Sequence, residues 1–332
     1  MSSLIANLFL LFCLWSGLIA NQNLAQAQDP EFTQFYSNPI YTNPAFAGSG
    51  LSCGGRFNLN YRNQWPSLSR TFETYSASFD RHYDNLAGGV GFMVTQDLAG
   101  AGMLTTTTAN GIYSYEMPVN HELTIRAGVQ ASYYFKSLDF NKLTFSDMIE
   151  PRTGFNLQTQ EPLPSTSITF PNFSTGILAY TEKYYAGLAV HNVIEPNQSF
   201  YKSTAPGAIL PRRYTLHGGM TIPLGGKNNN LKITPSMLLM VQRQFVQTNF
   251  GFFLTKSNFM TGLWYRQTRP NSDALMVQVG FRQGPFRVCY SYDLTVSDAR
   301  VAATGSHEVS LGMDLKCTNQ TSGLRKTDCY NW

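Results

Sequence analysis

The chain has 332 residues, of which 13% are charged and 14% aromatic, against about 25% charged in an ordinary soluble domain. Too few charges are available to coat a water-facing surface, and the balance suits a wall that meets lipid. Lys and Arg number 24 against 20 Asp and Glu with no basic cluster, which argues against nucleic acid as a partner.

In chain order, the run Leu4 to Ala20 is apolar and Ala25-Gln26-Ala27 offers the small-x-small pattern of signal-peptidase cleavage. Residues 1–27 therefore read as a signal peptide, although no Lys or Arg precedes the apolar run, and 332 − 27 = 305 residues remain. Cys13 lacks the small neighbours that lipid anchoring requires and leaves with the signal. No later stretch approaches the roughly 18 apolar residues of a membrane helix.

Residues 28–50 carry two Asn-Pro pairs, Asn38-Pro39 and Asn43-Pro44, within a set of aromatics. Proline forces extended backbone on the residue before it and Asn initiates turns, so the segment is shaped without being a strand. It reads as a plug or lid, with Phe35, Tyr36, Asn38, Pro39, Asn43 and Pro44 as the candidate plug or partner residues and Phe32 and Tyr41 beside them. The alternative is a simple lead-in to the first strand.

From 51 to 316 the sequence alternates apolar and polar with period two, as in Phe286, Val288, Tyr290, Tyr292 and Leu294 against Arg287, Cys289, Ser291, Asp293 and Thr295. Strands are predicted at 51–62, 71–82, 86–96, 103–117, 121–136, 172–181, 184–193, 211–222, 231–242, 245–255, 258–266, 273–283, 286–296 and 306–316. About 14 strands of about 10 residues fit an all-β, transmembrane antiparallel β-barrel. Short turns, such as Asp84-Asn85 and Gly284-Pro285, alternate with longer loops, the longest at 137–171 and 192–210. That rhythm places both termini in the periplasm of an outer-membrane protein. The two-residue connection 243–244 breaks the rule and raises the question of a misplaced strand.

Alternation sends Arg56, Asn58, Asn60 and Arg62 inward and Leu51, Cys53, Phe57, Leu59 and Tyr61 outward. Closure brings the first and last strands together, so Arg56, Arg62, Arg287, Asp293, Glu308 and Asp314 form one expected lumenal charge cluster. Its role is structural pairing around a plug or, alternatively, a transport path. Trp65, Trp264 and Tyr265 read as membrane-interface anchors rather than partner contacts. Arg212 and Arg213, after a long loop, are a weak candidate for an acidic partner. Cys289 faces the lumen away from Cys53, so both are single thiols. Cys317 and Cys329 flank a polar periplasmic tail, 317–332, and read as a candidate disulfide or as two free cysteines. No nucleophile elbow, zinc helix or phosphate loop is present, so catalysis, cofactor and metal are not expected. Ser306, His307 and Glu308 alternate faces and cannot form a relay.

The run Asp29 to Gly48, with Tyr61-Arg62-Asn63-Gln64-Trp65-Pro66, Pro211-Arg212-Arg213-Tyr214, Gly262-Leu263-Trp264-Tyr265-Arg266, Tyr290-Ser291-Tyr292-Asp293 and Gly305-Ser306-His307-Glu308-Val309-Ser310-Leu311, resembles the PorP/SprF family across the mature chain. The resemblance implies an outer-membrane barrel of the Bacteroidetes type IX secretion system, with gliding motility and protein secretion as its setting. It further implies a partner, either a secreted adhesin's C-terminal domain or the periplasmic secretion ring. The family also resembles fatty-acid-transporter barrels through an Asn-Pro-Ala element, here Asn43-Pro44-Ala45. A fatty-acid-transporter-like or porin-like channel for small molecules is therefore the alternative.

Overall fold

In a computed structural model of the chain, the described residues are 29–50, 54–67, 72–100, 103–150, 152, 154–160, 165–201, 206–224, 230–269, 272–296 and 305–315. The proposed signal peptide, the outward positions Leu51 and Cys53, and the Cys317–Cys329 pair lie outside them.

Period-two alternation is realised as one closed antiparallel barrel of 14 strands. These are β1 (Arg56–Gln64), β2 (Phe72–Tyr83), β3 (Gly88–Ala99), β4 (Leu104–Pro118), β5 (Thr124–Leu138), β6 (Ser167–Tyr180) and β7 (Tyr184–His191). They continue as β8 (Arg213–Met220), β9 (Leu231–Gln242), β10 (Phe245–Lys256), β11 (Phe259–Arg269), β12 (Ser272–Gln283), β13 (Phe286–Thr295) and β14 (Ser306–Asp314). Each pairs with its neighbour in sequence, and β1 closes on β14 from Arg56↔Asp314 to Gln64↔Ser306. Closure removes the unpaired sheet edges that lipid cannot hydrogen-bond. After β8 the wall continues through Ile222–Pro223, still paired with Ile233 and Lys232 of β9. All 14 sequence-predicted strands are present with shifted ends. The 243–244 connection is a true two-residue hairpin, because Arg243 adopts φ 55, and β9 and β10 are both genuine.

Outward positions are apolar: Val129, Ile177, Val277 and Val279 are each at least half exposed around the middle of the wall. At the rim of the short turns the exposed aromatics Tyr83, Tyr115, Tyr184, Phe259, Phe281 and Phe286 form a girdle. Tyr75, Tyr133, Phe173, Tyr214 and Phe250 line the outer face nearer the rim of the long loops. An apolar band between two aromatic girdles is the signature of a membrane barrel. Among the described residues no helix is long and apolar enough to cross a membrane.

A charge on the lipid face tests the assignment of that face. Val277→Arg is expected to lower unfolding free energy in lipid vesicles by about 2–4 kcal/mol, the cost of Arg near the midplane, read by denaturant titration of intrinsic fluorescence.

Candidate functional site

The lumen is occupied by the chain's own N-terminal segment. Asp29 lies at the long-loop end, where its carboxylate pairs with Arg213 at 3.3 Å and accepts from Asn192 Nδ2 at 2.9 Å. The segment descends to the short-turn end, where Gly48 N donates to Asp80 at 2.8 Å and Ala47 O accepts from Ser114 Oγ at 2.6 Å. Phe32, Phe35, Tyr36, Asn38, Ile40, Asn43, Pro44, Ala45 and Phe46 are all buried. Asp29 thus stands at the opposite mouth from the start of β1 and the end of β14.

Local chemistry sets the path. Pro39 opens the single helical turn Pro39–Thr42, where its missing N–H costs no hydrogen bond. Asn43 then starts the short helix Pro44–Phe46, its Oδ1 accepting from Ala45 N at 2.9 Å. The same side chain is tied to the wall: Asn43 Nδ2 lies 3.1 Å from Ile177 O, 3.3 Å from Leu188 O and 3.0 Å from His217 Nε2. Opposite the turn the wall carries small residues in one transverse row, Gly89, Ser114, Gly128, Gly176 and Ala189, each the register partner of the next. A Cβ on Gly128 would overlap Pro44 and Ala45, one on Gly176 the Asn43 side chain, and one on Gly89 the Ala47 carbonyl. Glycine is required there for close approach of a second backbone.

Aromatic packing continues upward. Phe35 meets the Trp264 ring edge-on at 5.0 Å, Tyr36 meets Phe253 at 4.5 Å, and Tyr36 Oη lies 3.1 Å from Cys289 Sγ. Trp264 is thus a lumenal residue, 1% exposed, and not an interface anchor: it is in phase with Met260 and Arg266, which also face inward. Tyr265 faces outward against Phe250. Burial pushes the Tyr41 phenol up to about 12, keeping it a neutral donor to the Pro30 carbonyl beneath the Arg213 guanidinium.

The expected single charge cluster is two. Arg62 Nη2 pairs with Asp293 at 3.1 Å and Arg62 Nη1 with Glu308 at 3.3 Å, joined by Arg266, whose Nη1 is 3.0 Å from Asp293 and whose Nε is 3.3 Å from Glu31. Glu308 accepts the backbone amides of Thr33 at 2.6 Å and Gln34 at 3.1 Å, and Asp293 accepts the Thr33 hydroxyl at 2.6 Å. The second cluster lies at the short-turn end. Arg56 makes a bidentate pair with Asp80, both contacts at 3.0 Å, while Arg287 and Arg282 share Asp314 at 3.4 and 3.0 Å. Arg56 and Arg62 are six residues apart on one strand, too far to share partners, which is why the cluster divides. Arg266, Asp80, Glu31 and Thr33 were not singled out from sequence. Arg266 sat at the predicted end of its strand, and Asp80 differs from other inward positions only by facing Arg56 across β1 and β2.

Arg213 points inward to Asp29, whereas the exposed Arg212 pairs with Glu195 at 3.4 Å. Ser306 and Glu308 are buried while His307 points out to Tyr290 at 2.8 Å. Cys289 is a free, buried thiol. Above the plug, open toward the long loops, lies a cavity of about 520 Å³ floored by Asp29, Glu31, Phe35 and Tyr41.

The family model for the type IX secretion system membrane protein PorP/SprF matches residues 24–313. No curated protein sequence matches the chain. Solved structures of similar shape include the Ralstonia pickettii toluene transporter TbuX, at 9% identity over 84% of this chain and 94% of that one, TM-score 0.49. The CymD monoaromatic hydrocarbon channel is similar at 10% identity over 85% of this chain and 94% of that one, TM-score 0.48. The Acinetobacter baumannii outer membrane protein Omp33 is similar at 8% identity over 80% of this chain and all of that one, TM-score 0.46.

Two substitutions probe the seating of the segment. Gly128→Val is expected to expel the Asn-Pro-Ala turn, so that proteinase K cleaves residues 29–49 while the barrel keeps its heat-modifiable migration. Arg62→Met strands Glu308 and is expected to cost about 3–5 kcal/mol in denaturant unfolding. The double variant Arg62→Met/Glu308→Gln recovers part of that loss, since the two effects are coupled.

Proposed function

Because the chain belongs to the type IX secretion system membrane protein PorP/SprF family, we propose that it is a plugged, non-enzymatic outer-membrane barrel that acts by binding. Its partner is the C-terminal domain of a secreted adhesin, the periplasmic secretion ring, or both, and its role is export and surface retention. The observation that carries this reading is the occupied lumen. A segment hydrogen-bonded to buried ion pairs of the wall at one end and wedged into a glycine row at the other leaves a barrel suited to present surfaces rather than to pass solutes. The even strand number returns β1 and β14 to one rim, the rim of the short turns, and short turns face the periplasm in barrels of this kind. In this reading the long loops, including the 139–166 excursion with its small hairpin Ile149–Glu150/Gly154–Phe155, face outward.

A second reading, a channel for small or fatty molecules, draws on the mouth cavity of about 520 Å³. It requires the plug to move.

Gentle-detergent purification of the tagged protein from its native membrane, with mass spectrometry of every co-purifying chain, separates the two. A large secreted protein or ring components are expected at near-stoichiometric yield. Recovery of the barrel alone, under conditions that keep other assemblies of that membrane intact, contradicts a stable partnership and leaves the channel reading.

A further inference from the structure

The seam where β1 closes on β14 holds a small space that the plug completes. Its floor is one transverse row, Asn58 of β1, Gly312 of β14 and Arg287 of β13, with Gly312 the register partner of both others. Because Gly312 has no side chain, the Arg287 guanidinium lies over it, and an added Cβ would come within 2.9 Å of Nη2. Ser310, the next inward residue of β14, and Ser37 of the N-terminal segment complete the polar lining. Arg287, Asn58, Ser310 and Ser37 are each no more than 7% exposed. The space among them has a volume of about 10 Å³, room for one particle of about the size of water.

The charges around this space do not balance. Arg56 and Asp80 pair with each other through two contacts, which leaves Asp314 to serve both Arg282 at 3.0 Å and Arg287 at 3.4 Å. Among the described residues of this cluster, three cations therefore meet two anions. Arg287 is the more deeply buried of the two arginines on Asp314 and has the longer contact. Its Nη2 reaches Asn58 Oδ1 at 3.3 Å and Asp314 at 3.4 Å, and its buried Nε has no partner among the described residues. A buried cation met only by long, shared contacts is stabilised by a further negative charge.

The neighbouring groups supply donors. Ser310 Oγ donates to Gln34 Oε1 at 2.6 Å, so the Ser37 hydroxyl, 3.3 Å from that same oxygen, is free to turn toward Arg287. Asn58 Nδ2 lies 3.5 Å from Ser78 Oγ, at the limit of a hydrogen bond. Arg287 Nε, the Ser37 hydroxyl and Asn58 Nδ2 thus give the space three donors and an excess positive charge. Phosphate, sulfate and carboxylates carry the right sign but are too large. We propose that this pocket binds a single halide ion, of which chloride is the common one, and that the ion neutralises Arg287 and ties the plug at Ser37 to the closing seam.

Urea unfolding of the full-length barrel in lipid vesicles tests this, with sodium chloride exchanged for sodium gluconate at constant ionic strength. Chloride is expected to stabilise the barrel along a saturating curve. The ratio of folded to unfolded protein should rise about tenfold once chloride reaches about ten times its dissociation constant. Bromide should act likewise. Arg287→Gln should abolish the saturating rise, while Arg81→Gln, on the exposed rim of β2, should keep it. No chloride dependence up to about 100 mM overturns the proposal and leaves a water in the pocket. A rise without saturation, or the same rise in Arg287→Gln, overturns it as well, since either marks a general salt effect. The exchange of chloride for gluconate needs only the unaltered protein, so it decides the matter even where Arg287→Gln fails to fold, and partner capture plays no part in it.

Discussion

A closed sheet sends every second side chain inward, and a polar group placed there must find a partner away from bulk water. In this barrel the inward positions include Arg56, Arg62, Arg266, Arg287, Asp293 and Glu308, all buried. Removing each ion from water costs several kcal/mol, and pairing alone does not reliably recover it. Some of the remaining lone pairs are met by the N-terminal segment. Glu308 receives the Thr33 and Gln34 amides, and Asp80 receives Gly48 N, each a hydrogen bond to a charged group of the kind that contributes about 1.5–3 kcal/mol. Wall and plug therefore depend on one another: the charges require the segment, and the segment is held by the charges.

The two ends of the segment use different physics. Near Arg62 and Arg213 it is held by charge and hydrogen bonds. At the Asn43-Pro44-Ala45 turn it is held by shape, in a furrow that exists because Gly89, Gly128 and Gly176 lack side chains. Between them Phe35, Tyr36, Phe253 and Trp264 form an apolar layer. A segment fixed by three unlike means along its length suits a permanent stopper better than a gate.

The strand pattern was legible because lipid and lumen impose opposite chemistry on alternate residues, so Phe286 to Thr295 could be assigned to faces by parity. Closure then brings Arg56 and Arg62 toward Arg287, Asp293, Glu308 and Asp314. What parity does not supply is height along the strand. Arg56 and Arg62 share a face but sit at different levels, so one expected cluster became two. Trp264 was misplaced by residue type, since Trp is common at membrane interfaces, although its phase with Met260 and Arg266 pointed inward. The Asn-Pro pairs marked a shaped segment, but its descent from the long-loop mouth depends on the Asp29–Arg213 pair and the glycine row. Those partners are 184 and at least 41 residues distant in the chain, Asp29 to Arg213 and Gly48 to Gly89, and no local pattern announces them.

Ion flow through the purified barrel in a planar lipid bilayer reports whether the chain's own N-terminal segment seals the lumen. A silent membrane is expected, with insertion verified by antibody or fluorescence and no discrete conductance steps. Stable, ohmic, porin-like conductance from the unaltered protein would contradict it.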